Sequence, residues 1–360
     1  MRTADFHFDL PPELVAQHPS PERGESRLLV FHRKQNCLEH KQFPDLLNYL
    51  KPGDVLVLND SRVIPARLHG INAKTGGKFE MLLLEENAPN DWWMMVRPGK
   101  NARIGAEILL QQHRAIAPKA PLSAIVLEKN SEGHCRMQFK GIDDVKDLLE
   151  EIGEVPLPPY ITRKNSGVLP EDKDRYQTVF AQNDGSAAAP TAGLHFTNEI
   201  LDKIRALGVK ICFVTLHVGP GTFLPVKAEN LSEHTMHEER FTLGSETVCA
   251  INEAKKFGGR VIAAGTTSVR VLEAVAARNA GKLNVYAGKT NIFIFPPYRF
   301  QIVDVLLTNF HLPCSTLLML ASAFAAPGEI QGREMILPAY AEAIRERYRF
   351  FSYGDAMLIL

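Results

Sequence analysis

The sequence predicts an α/β protein: a mostly parallel or mixed sheet domain that carries an inserted, small antiparallel β-barrel. Three observations predict it. A strand-like run, Asp54 to Leu58, ends in a cluster of four polar residues, Asn59-Asp60-Ser61-Arg62, the pattern of a strand leading into a binding loop. From about Arg62 to Gly153 the chain then reads as short strands separated by turns, which suits a small closed sheet. After the proline-rich Pro156-Leu-Pro-Pro159, helical and strand-like segments alternate, which argues a parallel sheet with covering helices. The predicted organisation is a discontinuous α/β catalytic domain, residues 1–61 and 154–360, interrupted by a barrel at 62–153.

In chain order, a helix is expected over Pro44 to Leu50, closed by Pro52-Gly53. The barrel strands are expected at Arg67–Ile71, Phe79–Glu85, Trp92–Arg97, Glu107–Leu110, Ala124–Glu128 and Cys135–Phe139, with turns at Thr75-Gly-Gly77, Pro98-Gly99 and Ser131-Glu-Gly133. Thr197 is placed to cap a helix that runs to about Leu207, Gly208 to end it, and Val209 to Leu216 to follow as a strand. Arg260 to Ala264 reads as a buried strand that feeds a helix over Val269 to Ala277.

Composition narrows the class. At 45% hydrophobic and 23% charged residues, a chain of 360 has ample material for a core, and broad disorder is excluded. The formal net charge is zero, so any nucleic-acid site must be a local basic patch rather than a property of the whole surface. Cys37, Cys135, Cys212, Cys249 and Cys314 form no CxxC pair, their number is odd, and buried free thiols in a reducing compartment are expected. The N-terminus has no basic start followed by an apolar stretch, and the most apolar segment, Leu317 to Ala326, is too short to span a bilayer. A cytoplasmic protein without a membrane partner is expected.

Several segments carry polar groups where chemistry could occur. Gly185-Ser-Ala-Ala-Ala-Pro-Thr-Ala-Gly-Leu-His-Phe-Thr197 combines small residues, which allow close backbone approach, with Thr191 and His195; a tight loop packed beneath a helix fits the same residues. Thr215-Leu-His-Val-Gly-Pro-Gly-Thr-Phe223 ends a strand in His217, Gly219, Gly221 and Thr222, either a proton-handling histidine beside exposed amides or a core-edge histidine above a plain turn. Ala264-Gly-Thr-Thr-Ser-Val-Arg270 has the strand–loop–helix form that offers N–H groups to an anion, with Thr266, Thr267, Ser268 and Arg270 at hand; a simple Ser/Thr cap is the bland alternative. His234-Thr-Met-His237-Glu-Glu239 lacks a third ligand at a recognised spacing, so no metal is expected there. Asn309 and His311 precede an apolar helix that Ser315 or Thr316 would cap, and the chain end, Arg345 to Asp355, mixes arginines with aromatics that include Tyr353. No Walker loop, GxGxxG, GxSxG or HExxH is present.

Taken in order, these segments resemble one family, the S-adenosylmethionine:tRNA ribosyltransferase-isomerases of queuosine biosynthesis. The resemblance rests on Phe8-Asp-Leu-Pro-Pro12, Ser26-Arg-Leu28, Leu58-Asn-Asp-Ser-Arg-Val-Ile-Pro-Ala-Arg-Leu68, Pro156-Leu-Pro-Pro-Tyr-Ile161 and Arg175-Tyr-Gln-Thr-Val179. It continues through Ala189-Pro-Thr-Ala-Gly-Leu-His-Phe196, Leu216-His-Val-Gly219, Gly265-Thr-Thr-Ser-Val-Arg270, Leu307-Thr-Asn-Phe-His-Leu-Pro313 and Tyr348-Arg-Phe-Phe-Ser-Tyr-Gly-Asp355, and so covers essentially the whole chain. Gly24, Ala187, Asn291, Pro297 and Cys314 depart from the family pattern, and none is among the polar residues singled out above.

The resemblance implies an α/β domain with an inserted barrel. It implies S-adenosylmethionine as a ribosyl donor and co-substrate, no tightly bound cofactor, and a tRNA with a GUN anticodon that carries 7-aminomethyl-7-deazaguanine at the wobble position. Adenine and methionine leave, and epoxyqueuosine forms. Such chemistry needs a base at the carbon beside the sulfonium and assistance to departing adenine, and His195 and His217 are the first candidates, with His237 and His311 behind them. Asn59, Asp60, Ser61, Arg62, Thr191, Gly219, Gly221, Thr222, Thr266, Thr267, Ser268, Arg270, Asn309 and Tyr353 complete the expected substrate-binding set, with the methionine carboxylate at Thr266-Thr267-Ser268. A monomer is expected. Two rival classes are an RNA methyltransferase, against which the missing glycine fingerprint counts, and a non-catalytic tRNA-binding protein.

Overall fold

The computed structural model describes residues 1–111, 122–163, 169–219, 221, 226 and 228–360. Among them the chain opens with β1 (Arg27–His32), β2 (Cys37–Gln42), β3 (Val55–Asn59) and the short β4 (Ser61–Val63). The next six strands are β5 (Arg67–Asn72), β6 (Lys78–Ala88), β7 (Asp91–Arg97), β8 (Glu107–Leu110), β9 (Ser123–Lys129) and β10 (Cys135–Lys140). There follow α1 (Leu149–Ile152), β11 (Gly153–Glu154), α2 (Pro170–Arg175), β12 (Asn183–Ser186), α3 (Asn198–Ala206), β13 (Lys210–Leu216), β14 (Glu239–Leu243) and α4 (Ser245–Lys256). The chain closes with β15 (Val261–Ala264), α5 (Thr266–Arg278), β16 (Tyr286–Thr290), β17 (Val305–Asn309), α6 (Thr316–Ala325), α7 (Gly332–Arg345) and β18 (Ala356–Ile359).

Among the described residues, nine strands form a mixed sheet in the order β16-β14-β13-β3-β15-β17-β18-β1-β2. Its centre, β13-β3-β15-β17, is parallel throughout. Of these, β3, β15 and β17 are buried along their whole length, as a sheet covered on both faces requires, whereas β13 alternates between buried and half-exposed residues. Val55, Val57, Val261 and Ala263 point to one face, where they pack in one cluster with α4, α5, α6 and α7. Leu56, Leu58, Ile262 and Ala264 point to the other, against α3 and the turn at Phe43–Tyr49. Thr197 caps α3 by accepting from the Ile200 N–H at 3.2 Å, and Ser315 caps α6 by accepting from Leu318 N–H at 3.2 Å, as the sequence predicts.

The second sheet has the order β11-β5-β6-β7-β10-β9-β8, and pairing of β5 with β8 closes six of its strands into an antiparallel barrel. Its interior is a separate cluster that runs from Ile64 to Ile152 and includes Phe79, Met81, Trp92, Met94, Met137 and Phe139. All six expected barrel strands are present. The chain enters and leaves the barrel side by side, because Arg67 pairs with Glu154 and Leu68 with Gly153. Between the two sheets lies a parallel pair, β4 with β12.

Two expectations differ from the structure. The segment expected as a helix at Pro44–Leu50 is a 3-10 turn, Phe43–Tyr49. Its buried residues, Phe43 and Leu46, stand three apart, the repeat of the tighter helix. The cysteines are free, but only Cys135 and Cys212 are buried, whereas Cys37 and Cys249 are exposed. Cys37 sits on the edge strand β2, and Cys249 on the outer face of α4, between buried Val248 and Ala250, where one position along the helix decides exposure. No described helix is long and apolar enough to cross a membrane.

Candidate active site

Because β13, β3, β15 and β17 run parallel, their C-terminal ends share one edge of the sheet. That edge is where open α/β sheets bind ligands. Asn59 stands at the end of β3. Its Oδ1 accepts from the N–H groups of Leu216 (3.0 Å) and Ser61 (3.1 Å), and its Nδ2 donates to the Leu216 carbonyl (3.0 Å). The side-chain amide thus continues the β3–β13 ladder where the backbones part, and it fixes the two residues that follow. Asp60 accepts from the Thr215 hydroxyl at 2.6 Å. Arg62 is exposed and lies 3.8 Å from Asp184.

His217 follows β13 and is half-buried. Ser61 Oγ lies 2.8 Å from its Nδ1, Ser186 Oγ lies 2.6 Å from Ser61 Oγ, and the Val218 N–H donates to Ser186 Oγ at 2.9 Å. Gly185 supports the ring: a Cβ there would fall 2.8 Å from His217 Nδ1. Burial, helped by Arg240, lowers the His217 pKa, so the ring is neutral at pH 7. Two residues on, the Gly219 N–H donates to Glu239 at 3.1 Å, and Glu239 forms a buried ion pair with Arg270 of α5. His237 packs against Gly221 and faces the barrel turn, with Glu132 at 3.7 Å. Thr222 lies outside the described residues, as do Pro220 and Phe223. Among the described residues no three metal-ligating side chains come together.

The start of α5 departs from the Ser/Thr cap that the sequence allows. The cap position is Gly265, at φ +89° and ψ 150°, with no side-chain cap bond. The Ser268 hydroxyl turns back to the Ala264 carbonyl at 2.9 Å instead. Thr266 and Thr267 are buried beside it, and Thr267 Oγ1 and Arg270 Nη2 are buried with no hydrogen-bond partner among the described residues. A hydroxyl and a guanidinium N–H without partners among the described residues, beside a helix N-terminus, suit an anionic oxygen. The turn Thr191–His195 crosses the same edge, and its Ala192 lies 3.6 Å from where a Gly265 Cβ would stand.

His195 and His311 differ from His217. Both are buried, and desolvation lowers both pKa values to about 3. His195 stacks on Phe43, with Ser26 Oγ 2.7 Å from Nδ1 and Asn309 Nδ2 3.2 Å from Nε2. Since Asn309 Nδ2 also donates to the Phe351 carbonyl, Nε2 of His195 is an acceptor and its proton resides on Nδ1. Both nitrogens are taken, so the geometry separates His195 from His217 as a proton-handling group. His311 is turned inward, with Nε2 2.8 Å from Thr308 Oγ1. Tyr353 is also inward: its hydroxyl donates to Asp172, which Arg163 grips at 2.8 and 2.6 Å. The structure thus brings Asn59, Asp60, Ser61, Thr191, His217, Gly219, Thr266, Thr267, Ser268, Arg270 and Asn309 to one sheet edge. Arg62 is turned outward, and His311 and Tyr353 are turned into the protein.

Ser186 and Glu239 were missed as site residues. Ser186 lies in a run whose small residues, Thr191 and His195 draw the eye, and Glu239 in a stretch whose histidines suggest metal ligation. Glu239's signal is position: an acidic residue at a strand start opposite an arginine one turn into a helix.

The sequence matches the family described as "Queuosine biosynthesis protein" over residues 3–359. Relatives named S-adenosylmethionine:tRNA ribosyltransferase-isomerase are 50% identical in Acetivibrio thermocellus and 48% identical in Clostridioides difficile, each aligned over 100% of both chains. The crystal structure of S-adenosylmethionine tRNA ribosyltransferase from Thermotoga maritima is similar at 37% identity and a TM-score of 0.54, covering 99% of this chain and 100% of that one. The converging strand ends, the barrel and the full-length matches together place the chain in the queuosine biosynthesis family, that of the S-adenosylmethionine:tRNA ribosyltransferase-isomerases.

Proposed function

We propose that the chain transfers and isomerises the ribosyl moiety of S-adenosylmethionine onto 7-aminomethyl-7-deazaguanine at the wobble position of a GUN-anticodon tRNA. Adenine and methionine are released, and epoxyqueuosine-tRNA is formed. The observation that carries this reading is the convergence on one sheet edge of segments far apart in sequence: Asn59 to Ser61, Thr191, His217 to Gly219, Thr266 to Arg270, and Asn309. Each resembles a family segment, and together they supply a neutral imidazole, a helix N-terminus and two buried side-chain groups, Thr267 Oγ1 and Arg270 Nη2, without partners among the described residues.

In this reading the donors at the start of α5 hold the methionine carboxylate of the co-substrate. His217 meets the reacting atoms, and His195 positions Asn309 and Ser26. Exposed Arg62, Arg97, Lys100, Arg103 and Arg347 meet RNA phosphates. Arg345 and Arg349 belong to the same proposal, although the first is engaged by Glu342 and the second by Ser20. The enzyme works in the cytoplasm as a monomer, without a tightly bound cofactor.

The test is incubation of purified protein with S-adenosylmethionine and tRNA carrying the aminomethyl-deazaguanine. Free adenine and a tRNA mass gain of one ribosyl unit are expected, only with that tRNA. A methyl-sized mass gain would replace the reading with a methyltransferase, and tight binding without adenine would replace it with a binding protein.

A further inference from the structure

Ser61 and Ser186 hold three hydrogen-bonding atoms in line with His217, and counting their protons decides which nitrogen of the ring is protonated. Ser61 and Ser186 are both fully buried at 0% exposure, so each hydroxyl proton needs an acceptor inside the protein. Two polarities run along the line, and in a third arrangement Nδ1–H and the Ser186 hydroxyl both donate to Ser61, which leaves the Ser61 proton with no acceptor among the described residues. In the first, Ser186 donates to Ser61, Ser61 donates to His217 Nδ1, and Ser186 accepts the Val218 N–H; every proton is used. In the second, Nδ1–H donates to Ser61, Ser61 donates to Ser186, and Ser186 accepts twice. The Ser186 proton is then left with no acceptor among the described residues. One buried donor left unmade biases such a choice by roughly ten- to a hundredfold.

We propose that His217 acts in the reaction as a neutral hydrogen-bond donor through Nε2, its tautomer set by the relay from Ser186 through Ser61 to Nδ1. This rests on the reading that His217 meets the reacting atoms. Ser61 is then the positioning residue, and Ser186 supports its hydroxyl from behind. The same relay opposes a protonated ring, because imidazolium would need Nδ1–H and so would leave one of the two hydroxyl protons without an acceptor among the described residues. A neutral Nε2–H cannot remove a proton from carbon. It aims a fixed dipole at an atom that gains negative charge, such as a ring nitrogen of departing adenine or an oxygen of the ribosyl group. The base that acts at the carbon beside the sulfonium is therefore another group.

The experiment has two arms. Histidine-labelled ¹⁵N NMR of the whole protein, with the His217 signals assigned by their loss in His217→Gln, reads the tautomer directly. The parent and Ser186→Ala are expected to show Nε2–H, since Ser61 still donates to Nδ1; Ser61→Ala is expected to show a mixture. Protonated Nδ1 in the parent overturns the proposal. The second arm is single-turnover adenine release at saturating substrates. His217→Gln keeps an N–H donor near the Nε2 position and should stay within about tenfold of the parent, whereas His217→Leu should lose roughly 10²–10³-fold, the scale for a lost transition-state donor. Equal, large losses in both variants point to a base and overturn the proposal. A His217→Leu rate equal to the parent removes His217 from the chemistry, which overturns the site reading while adenine release by the parent still tests the reaction itself.

Discussion

His195, His217 and His311 look equivalent in the sequence: each follows or precedes a small polar cluster at the end of an apolar run. Burial separates them, and burial is a property of tertiary packing. Only the fold places Phe43 on His195, or turns His311 toward Thr308. The two buried rings carry a consequence for stability. Their folded pKa values are depressed to about 3, against 6.5 in an open chain. Above pH 6.5 neither state binds the proton and the stability is fully present; as pH falls below 6.5 the unfolded chain takes up protons that the folded one refuses. Between pH 7 and pH 5 each ring should therefore cost about 2 kcal/mol. Urea unfolding of His311→Gln across that range should show a pH dependence smaller by about that amount. An unchanged slope would mean that His311 accepts a proton without unfolding.

At the scale of elements, most of the pattern was legible. Strands β3 and β15 open as continuous apolar runs, glycine turns stand between β5 and β6 and between β9 and β10, and the caps at Thr197 and Ser315 are side chains in their usual places. What the sequence hides is pairing between distant short pieces. The three residues of β4 and four of β12 show no alternation to speak of, yet their pairing sets Ser61 beside Ser186. The start of α5 was legible as strand–loop–helix but not as a glycine cap. At φ +89° and ψ 150°, Gly265 occupies a region that is essentially restricted to glycine. Gly265→Ala should destabilise the protein by about 1–3 kcal/mol. It should also weaken S-adenosylmethionine binding more than tRNA binding, as measured by calorimetry with each ligand. Equal affinity for the co-substrate would detach the α5 terminus from its site.

For the molecule as a whole, two interiors rather than one stabilise the chain: the barrel packs from Ile64 to Ile152 around its own cluster, and the large sheet packs against its helices on both faces. Chain entry and exit lie side by side at Arg67 and Glu154. Replacing 68–151 by a short linker should therefore leave a sheet domain that unfolds cooperatively in urea, since an inserted domain has its own core. That variant should lose modification of tRNA, with RNA affinity reduced if Arg97, Lys100 and Arg103 meet phosphates. Full activity would show the barrel to be dispensable. A neutral formal charge also places the burden of RNA affinity on such local patches, which composition alone could not locate.

The β4–β12 pair joins the two interiors, and it also carries both serines of the relay. Ser61 begins the strand that, after Ile64-Pro65-Ala66, becomes the first strand of the barrel. A displacement of the barrel would reach the sheet along this strand, first through the Ile64 N–H bond to the Ser186 carbonyl and the Val63 bonds to Gln177, and then through Ser61 to His217. By reciprocity, any preference of the imidazole for one placement of the barrel is also a preference of the barrel for one state of the imidazole. The strand that leaves the large sheet for the barrel thus begins at the residue that contacts Nδ1 of His217.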